Sequence, residues 1–257
     1  MYGAIIGDIV GSVFEFNNIK SKDIPLKLRN SRFTDDTVLT VATMDALLNP
    51  EIGYAKMYKA YFRHYKDSKR GFGGNFYRWG LQDTLQPYNS YGNGSAMRVS
   101  PVAWIYNSLE ETLEEAKRSA EVTHNHPEGI KGAQALAMAI YMARKKASKE
   151  DIKHAITHNF QYDLSRSVDA IRPVNQFDET CPGSVPEAIT CFLEATSFED
   201  TLRTAISIGG DSDTIACMAG SIAEAYYGID PEWIDYIHTK LDPHLKKVIE
   251  SFYEKYR

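Results

Sequence analysis

Ile208-Gly209-Gly210-Asp211-Ser212-Asp213-Thr214 sets two carboxylates, two hydroxyls and a glycine pair at the entrance of an apolar run that begins at Ile215. The run continues to Tyr227 without strand alternation, so the stretch reads as a helix and its N-terminus. Far upstream, Arg32-Phe33-Thr34-Asp35-Asp36-Thr37 stands before Val38-Leu39-Thr40-Val41-Ala42 in the same way. Asp36-Thr37-Val38 echoes Asp213-Thr214-Ile215. Two readings follow. Asp, Ser and Thr are favoured N-caps, and acids in a first turn interact well with the helix dipole. A cap needs only one side chain, however, and both stretches supply a surplus of acid. Hard divalent cations take carboxylate, hydroxyl and carbonyl oxygens, and four Asp brought together stay ionised only with cations between them. The clusters are therefore expected to meet across a helical core as a two-metal site. The glycines before Asp211 suit a chain that approaches a ligand closely.

Working outward, Met1 to Phe16 is apolar and small, with Gly3, Gly7 and Gly11 at every fourth position. On a helix these form one smooth face for close packing. Asp8 and Glu15 are its acids, and helical spacing puts both on one face aimed at a common site. Asp8 serves equally as a local cap or pair. Residues 17–33 read as a loop delivering Thr34, followed by a helix to about Leu48 and another over Tyr54 to Tyr65 with Met57, Tyr58, Tyr61 and Phe62 in the core. Residues 66–101 hold Gly71, Gly73, Gly74, Gly80, Gly92 and Gly94, too many for a continuous helix. Such a loop inside a domain is usually functional, and its amides are suited to a phosphate. Capping boxes at Ser108, Ser148 and Ser184 open further helices, with Pro186 in a first turn. Helices over Gly132 to Lys145, Thr201 to Ile208, Pro231 to His238 and His244 to Tyr256 complete an all-α chain. No linker or repeat divides residues 1–257, which read as a single domain.

The chain has 257 residues, 43% hydrophobic and 25% charged, with a net charge of −5, enough for a sizeable core and without a basic footprint for unmodified nucleic acid. No stretch reads as a leader or approaches the roughly 20 apolar residues of a membrane span. A soluble, cytoplasmic protein is expected, with no membrane partner. Cys181, Cys191 and Cys217 lack metal or disulfide spacing and read as buried free thiols. His124, between two helices, is placed at a site; His126 beside it is structural, and His64, His154, His158, His238 and His244 are surface residues. No serine elbow, Walker motif or dinucleotide fingerprint is present.

Gly7-Asp8-Ile9-Val10-Gly11 with Glu15, Phe33 to Thr37, Gly92-Asn93-Gly94-Ser95-Ala96-Met97-Arg98-Val99-Ser100-Pro101, Thr123-His124 and Gly209 to Thr214 together resemble the ADP-ribosylglycohydrolase family. That family includes dinitrogenase-reductase-activating glycohydrolases and ADP-ribosyl-acceptor hydrolases. The resemblance runs in order from Gly3 to about Gly228. It implies a compact orthogonal helical bundle with a central dinuclear metal cleft. It also implies two divalent cations, Mg²⁺ or Mn²⁺, held by Thr34, Asp35, Asp36, Asp211, Asp213 and Thr214. The implied reaction is hydrolysis at C1″ of the distal ribose, releasing ADP-ribose from a modified protein or a small ADP-ribosyl compound. Glu15, Asp35, Asp36 and Asp213 are the implied catalytic groups, Glu15 matching an acid that closes over the metals or helps activate water. Gly73, Gly74, Gly92, Asn93, Gly94, Ser95, Ala96, Met97 and His124 match the substrate side, and Tyr91 is assigned a stacking or ribose contact. Residues 160–183 match nothing assignable, so arginine and serine linkage stay open, as does oligomeric state. The competing readings are a non-catalytic ADP-ribose-binding module, a dinuclear phosphoesterase, which would usually add histidine ligands, and a helical protein with structural Ca²⁺.

Overall fold

A computed structural model describes residues 1–68 and 71–256. Helices follow one another as α1 (Tyr2–Gly11), α2 (Asp35–Leu48), α3 (Tyr54–Tyr65), α4 (Gly74–Leu81), α5 (Gly94–Met97), α6 (Val102–Ile105), α7 (Leu109–Glu121) and α8 (Pro127–Arg144). They continue as α9 (Lys149–Phe160), α10 (Val168–Ile171), α11 (Cys181–Glu194), α12 (Phe198–Ser207), α13 (Ser212–Tyr227), α14 (Pro231–His238) and α15 (Pro243–Tyr256). The only pairing of extended backbone among the described residues is an isolated bridge between Gly92 and Thr180.

α13 runs through the middle, with α1, α2, α5, α8, α11 and α12 against it. Its residues from Ser212 to Ala225 are all buried, which explains why, Asp213 and Glu224 apart, the sequence there is apolar or small all round rather than amphipathic. Each fully buried Ile or Met in it contributes about 2 kcal/mol of apolar burial. α1 lies along α13 at backbone contact. A Cβ on Gly7 would sit 2.0 Å from the Ala216 carbonyl oxygen, and one on Gly3 would sit 2.2 Å from that of Gly220. The every-fourth-residue glycines thus let two helices touch through their backbones. Glu224 fixes the register, accepting from the Gly3 amide at 2.8 Å and pairing with the Met1 ammonium.

The structure corrects four expectations. α1 stops at Gly11, where Ser12 turns its hydroxyl back to the Ile9 carbonyl at 2.9 Å, so Glu15 comes from a turn instead of from the helical face. The glycine-rich stretch contains a helix, α4; its Gly80 is needed because a Cβ there would lie 2.3 Å from the Phe62 ring. Lys69 and Arg70 of that stretch lie outside the described residues. α11 opens at Cys181 with Thr180 as its N-cap, the Gly183 amide donating to Thr180 Oγ1 at 3.1 Å. Ser184 and Pro186 therefore lie inside the helix, where the proline forgoes one backbone bond. His238 is half-buried, with an enclosed Nε2. Ser108 and Ser148 cap α7 and α9 as read, and the three cysteines are buried and free.

Candidate active site

The N-termini of α2 and α13 meet, and Thr214 Oγ1 lies 3.3 Å from Asp36 Oδ2. α2 is started by Thr34, whose Oγ1 accepts from the Asp36 amide at 3.3 Å. Thr34 is anchored in turn by Asp8 of α1, fully buried. Asp8 accepts from the Thr34 amide at 3.0 Å, the Thr34 hydroxyl at 2.7 Å, the Thr37 amide at 3.1 Å and the Thr37 hydroxyl. The Thr34 hydroxyl has one proton, and the short bond to Asp8 takes it. Asp36 Oδ2, 3.3 Å from the same oxygen, gains no donor there, and Asp36 Oδ1 has no partner at all.

α13 is started differently. Asp211 occupies the N-cap position but makes no side-chain cap bond; its carboxylate accepts from Asn93 Nδ2 at 2.8 Å. The chain reaches it through Gly209 and Gly210 at φ +66° and +81°, a left-handed conformation that glycine adopts without strain. Two asparagines clasp this turn. Asn18 donates to the Gly210 carbonyl at 2.9 Å and accepts from the Gly210 amide at 2.6 Å, while Asn175 donates to the Gly209 carbonyl at 3.0 Å. Lys20 adds a bond to the Ile208 carbonyl.

Carboxylate oxygens of Asp8, Asp36 and Asp213 gather within 4.8 Å of one another, as do those of Glu15, Asp211 and Asp213. Burial pushes the carboxyls of Asp36 and Asp213 well above the usual range, and their acidic neighbours push further the same way. Asp35 is raised likewise, by burial and then by Asp8. Glu15, half-buried, is lifted from 4.5 to about 7 by burial, then by Asp211 and Asp8, against the opposing charge of Arg32. Crowded buried acids with an unpartnered oxygen form a donor set that fits a hard divalent cation.

All of these acids except the fully enclosed Asp8 line one cleft. Its walls add Gly71, Gly73, Gly74 and Phe76 around the start of α4, then Tyr88, Ser90, Gly92, Asn93, Gly94, Met97 and His124. His124 is buried, and burial followed by the charge of Arg98 holds its pKa well below the usual histidine value, so the ring is neutral. Arg98 donates to Thr123 Oγ1 at 2.8 Å, and Thr123 Oγ1 lies 2.8 Å from His124 Nδ1. Nε2 stands beside Gly94, where an added Cβ would be 3.1 Å away.

A family model described as ADP-ribosylglycohydrolase matches residues 1–257. The chain belongs to the ADP-ribosylglycohydrolase family. Similar curated proteins include ADP-ribosylhydrolase ARH3 of Homo sapiens, 29% identical over 89% of this chain and 84% of that protein. Another is ADP-ribosylarginine hydrolase Tri1 of Pseudomonas putida (strain GB-1), 25% identical over 99% of this chain and 77% of that protein. A solved structure titled "ADP-ribosylglycohydrolase-related protein complex" superposes with a TM-score of 0.73 over 100% of this chain and 97% of that one. At 22% sequence identity, that likeness speaks to the fold.

Against this ADP-ribosylglycohydrolase frame, the cleft brings together Glu15, Thr34, Asp35, Asp36, Asp211, Asp213 and Thr214, with Gly73, Gly74, Gly92, Asn93, Gly94, Met97 and His124. Asp35 lines it without joining either close carboxylate group. Ser95 and Ala96 do not line it: Ser95 turns its hydroxyl to the Gly129 carbonyl at 2.7 Å, and Ala96 is wholly buried. Tyr91 is also outside the lining, half-exposed with its ring 5.2 Å from that of His126, which caps α8. The sequence reading left Asp8 undecided and missed Tyr88, Ser90, Phe177 and Glu179. Asp8 had a signal, being the lone acid in a wholly apolar helix. The other four come from irregular chain with no periodicity to read.

Proposed function

We propose that this chain is a metal-dependent hydrolase that releases ADP-ribose from a modified acceptor by breaking the glycosidic bond at C1″ of the distal ribose. One observation carries the reading: two acid-and-hydroxyl helix N-termini converge on the floor of a cleft, leaving Asp36 Oδ1 unpartnered. Family membership and the activities for which the relatives are named support the substrate class.

Thr34, Asp35, Asp36, Asp211, Asp213 and Thr214 would hold two divalent cations, Mg²⁺ or Mn²⁺, and residues 1–257 would act as one domain. Such ions lower the pKa of bound water and orient vicinal hydroxyls. The protein's own groups do the rest. Amides at Gly73, Gly74 and Gly94 offer the diphosphate donors without a basic surface. His124 lines the cleft as a neutral group. Glu15 takes the proton of the attacking water at its carboxylate, which stands beside those of Asp211 and Asp213. The carboxylates around C1″ favour the positive charge of an oxocarbenium-like transition state.

The test is mass-spectrometric detection of free ADP-ribose from arginine-linked and serine-linked ADP-ribosyl peptides with Mg²⁺, Mn²⁺ or chelator. Release that requires a cation and Asp213 is expected. ADP-ribose binding without release from either peptide would replace the enzyme by a binding module.

A further inference from the structure

The mouth of the cleft carries an aromatic pair from two distant segments. Phe16 and Phe177 are 78% and 50% exposed, their rings stacked with centroids 6.3 Å apart and planes at 23°. Single exposed apolar residues need no explanation, but paired rings beside a cleft do. Phe177 lines the cleft itself. Phe16 directly follows Glu15, and Phe177 stands just before Glu179, and both acids line the cleft. Both segments are fixed. Asn18 and Asn175 tie them to the same glycine turn, and the Glu179 carbonyl accepts from the Asn93 amide at 2.7 Å.

The charges at this end are mainly acidic, with Arg32 the opposing charge beside Glu15. Asp211 feels Glu179, and Glu179, which lies outside the proposed cation ligands, supplies the negative charge that a cationic acceptor would meet. Lys20, the nearby lysine, is turned to the backbone carbonyls of Asn175 and Ile208. Among the described residues no lysine or arginine stacks on either phenyl ring. A flat π surface and a carboxylate lining the same cleft match a guanidinium, which is planar, weakly hydrated and permanently charged. A serine side chain gains nothing from either feature.

We infer that Phe16, Phe177 and Glu179 form an acceptor-side subsite that takes the guanidinium of an arginine-linked ADP-ribosyl substrate. This rests on the hydrolase reading above and adds its acceptor. With C1″ at the carboxylates and the diphosphate on the glycine amides, the acceptor leaves past Phe177.

Steady-state hydrolysis of arginine-linked and serine-linked ADP-ribosyl peptides by the full chain, Phe177→Ala, Phe177→Leu and Glu179→Gln tests this, with calorimetric affinity for ADP-ribose alongside. The arginine-over-serine ratio of kcat/KM is expected to fall about tenfold in each variant, mainly through KM, while ADP-ribose affinity holds. Phe177→Leu keeps an apolar side chain and removes the π face. An unchanged ratio in all three variants overturns the subsite. Equal weakening of ADP-ribose itself also overturns it, making Phe177 a platform for the base. Wild-type protein inert on both peptides would defeat the hydrolase reading instead. Calorimetry then still decides the subsite, by whether the arginine-linked peptide binds more tightly than ADP-ribose in wild type and loses that margin in Phe177→Ala.

Discussion

The N-termini of α2 and α13 carry nearly the same residues and are held in place by opposite means. At α2 the support is a threonine cap on its own helix, buttressed from α1 by Asp8. At α13 no side chain caps the helix; a left-handed glycine turn delivers Asp211, and asparagines from three segments hold the turn and the carboxylate. The result is the same at both ends. Only part of the acid at each end serves helix amides: Asp213 Oδ1 accepts from the Thr214 amide at 3.0 Å, while Asp36 and Asp211 accept from no amide of their own helix, which is why capping alone does not account for either cluster.

The largest expected effect treats the two ends as one unit. Asp36→Ala and Asp213→Ala should each lower cation-dependent ADP-ribose release on the order of a thousandfold, as loss of a preorganised charge-stabilising group does. Neither should lower the cation-free melting temperature, since one crowded buried acid is removed. Single-turnover release and thermal unfolding check this, and full activity in either variant would make the ends unequal partners.

Next comes the buttress. Asp8→Ala leaves the Thr34 and Thr37 amides and hydroxyls without their acceptor and should cost about 3 kcal/mol by chemical denaturation, outweighing the relief of charge crowding. Asn93→Ala, which removes one bond at the α13 end, should cost about 1 kcal/mol. Equal costs would erase the contrast between the two designs. Gly210→Ala should cost about 2 kcal/mol, from φ +81° and from a Cβ 2.7 Å from Asn175 Nδ2. Thermal unfolding reads this, and a neutral result would mean that the clasp yields freely.

The smallest effect is in pH. Glu15 rises from 4.5 to about 7 on folding, so between those values the folded chain binds a proton that the unfolded chain has released. Cation-free stability therefore falls as pH rises from 4.5 through 7, and Asp36 and Asp213 act in the same direction. Divalent cations should reverse the slope. Melting curves across this range with and without Mg²⁺ check the sign; cation-free stability that rises instead would show that the acids are paired.

Much of the helix order was legible in the sequence, because periodicity and capping act within a few residues. Ser108 and Ser148 open their helices as read. Ser184 misled because the same serine–acid spacing occurs inside α11, where Thr180 had already supplied the cap. Of the site, the two acid clusters, the glycine amides and His124 were legible as residue types. Ser95 and Ala96 sat in the right motif but face inward on a four-residue helix, a matter of rotation that a motif does not encode.

The sequence by itself determined the two Asp/Thr clusters, the small-residue face of α1, and the all-helical character, since each depends on neighbours along the chain. Only the tertiary structure decided that Asp8 is a saturated pillar while Asp36 keeps an unpartnered oxygen, that Glu15 arrives from a turn, that His124 is neutral, and that Phe177 and Glu179 stand at the mouth. The reason is competition for partners. Which carboxylate receives the few available protons, and which ring stays exposed, depends on side chains brought from distant segments, and their distances exist only once the helices have packed.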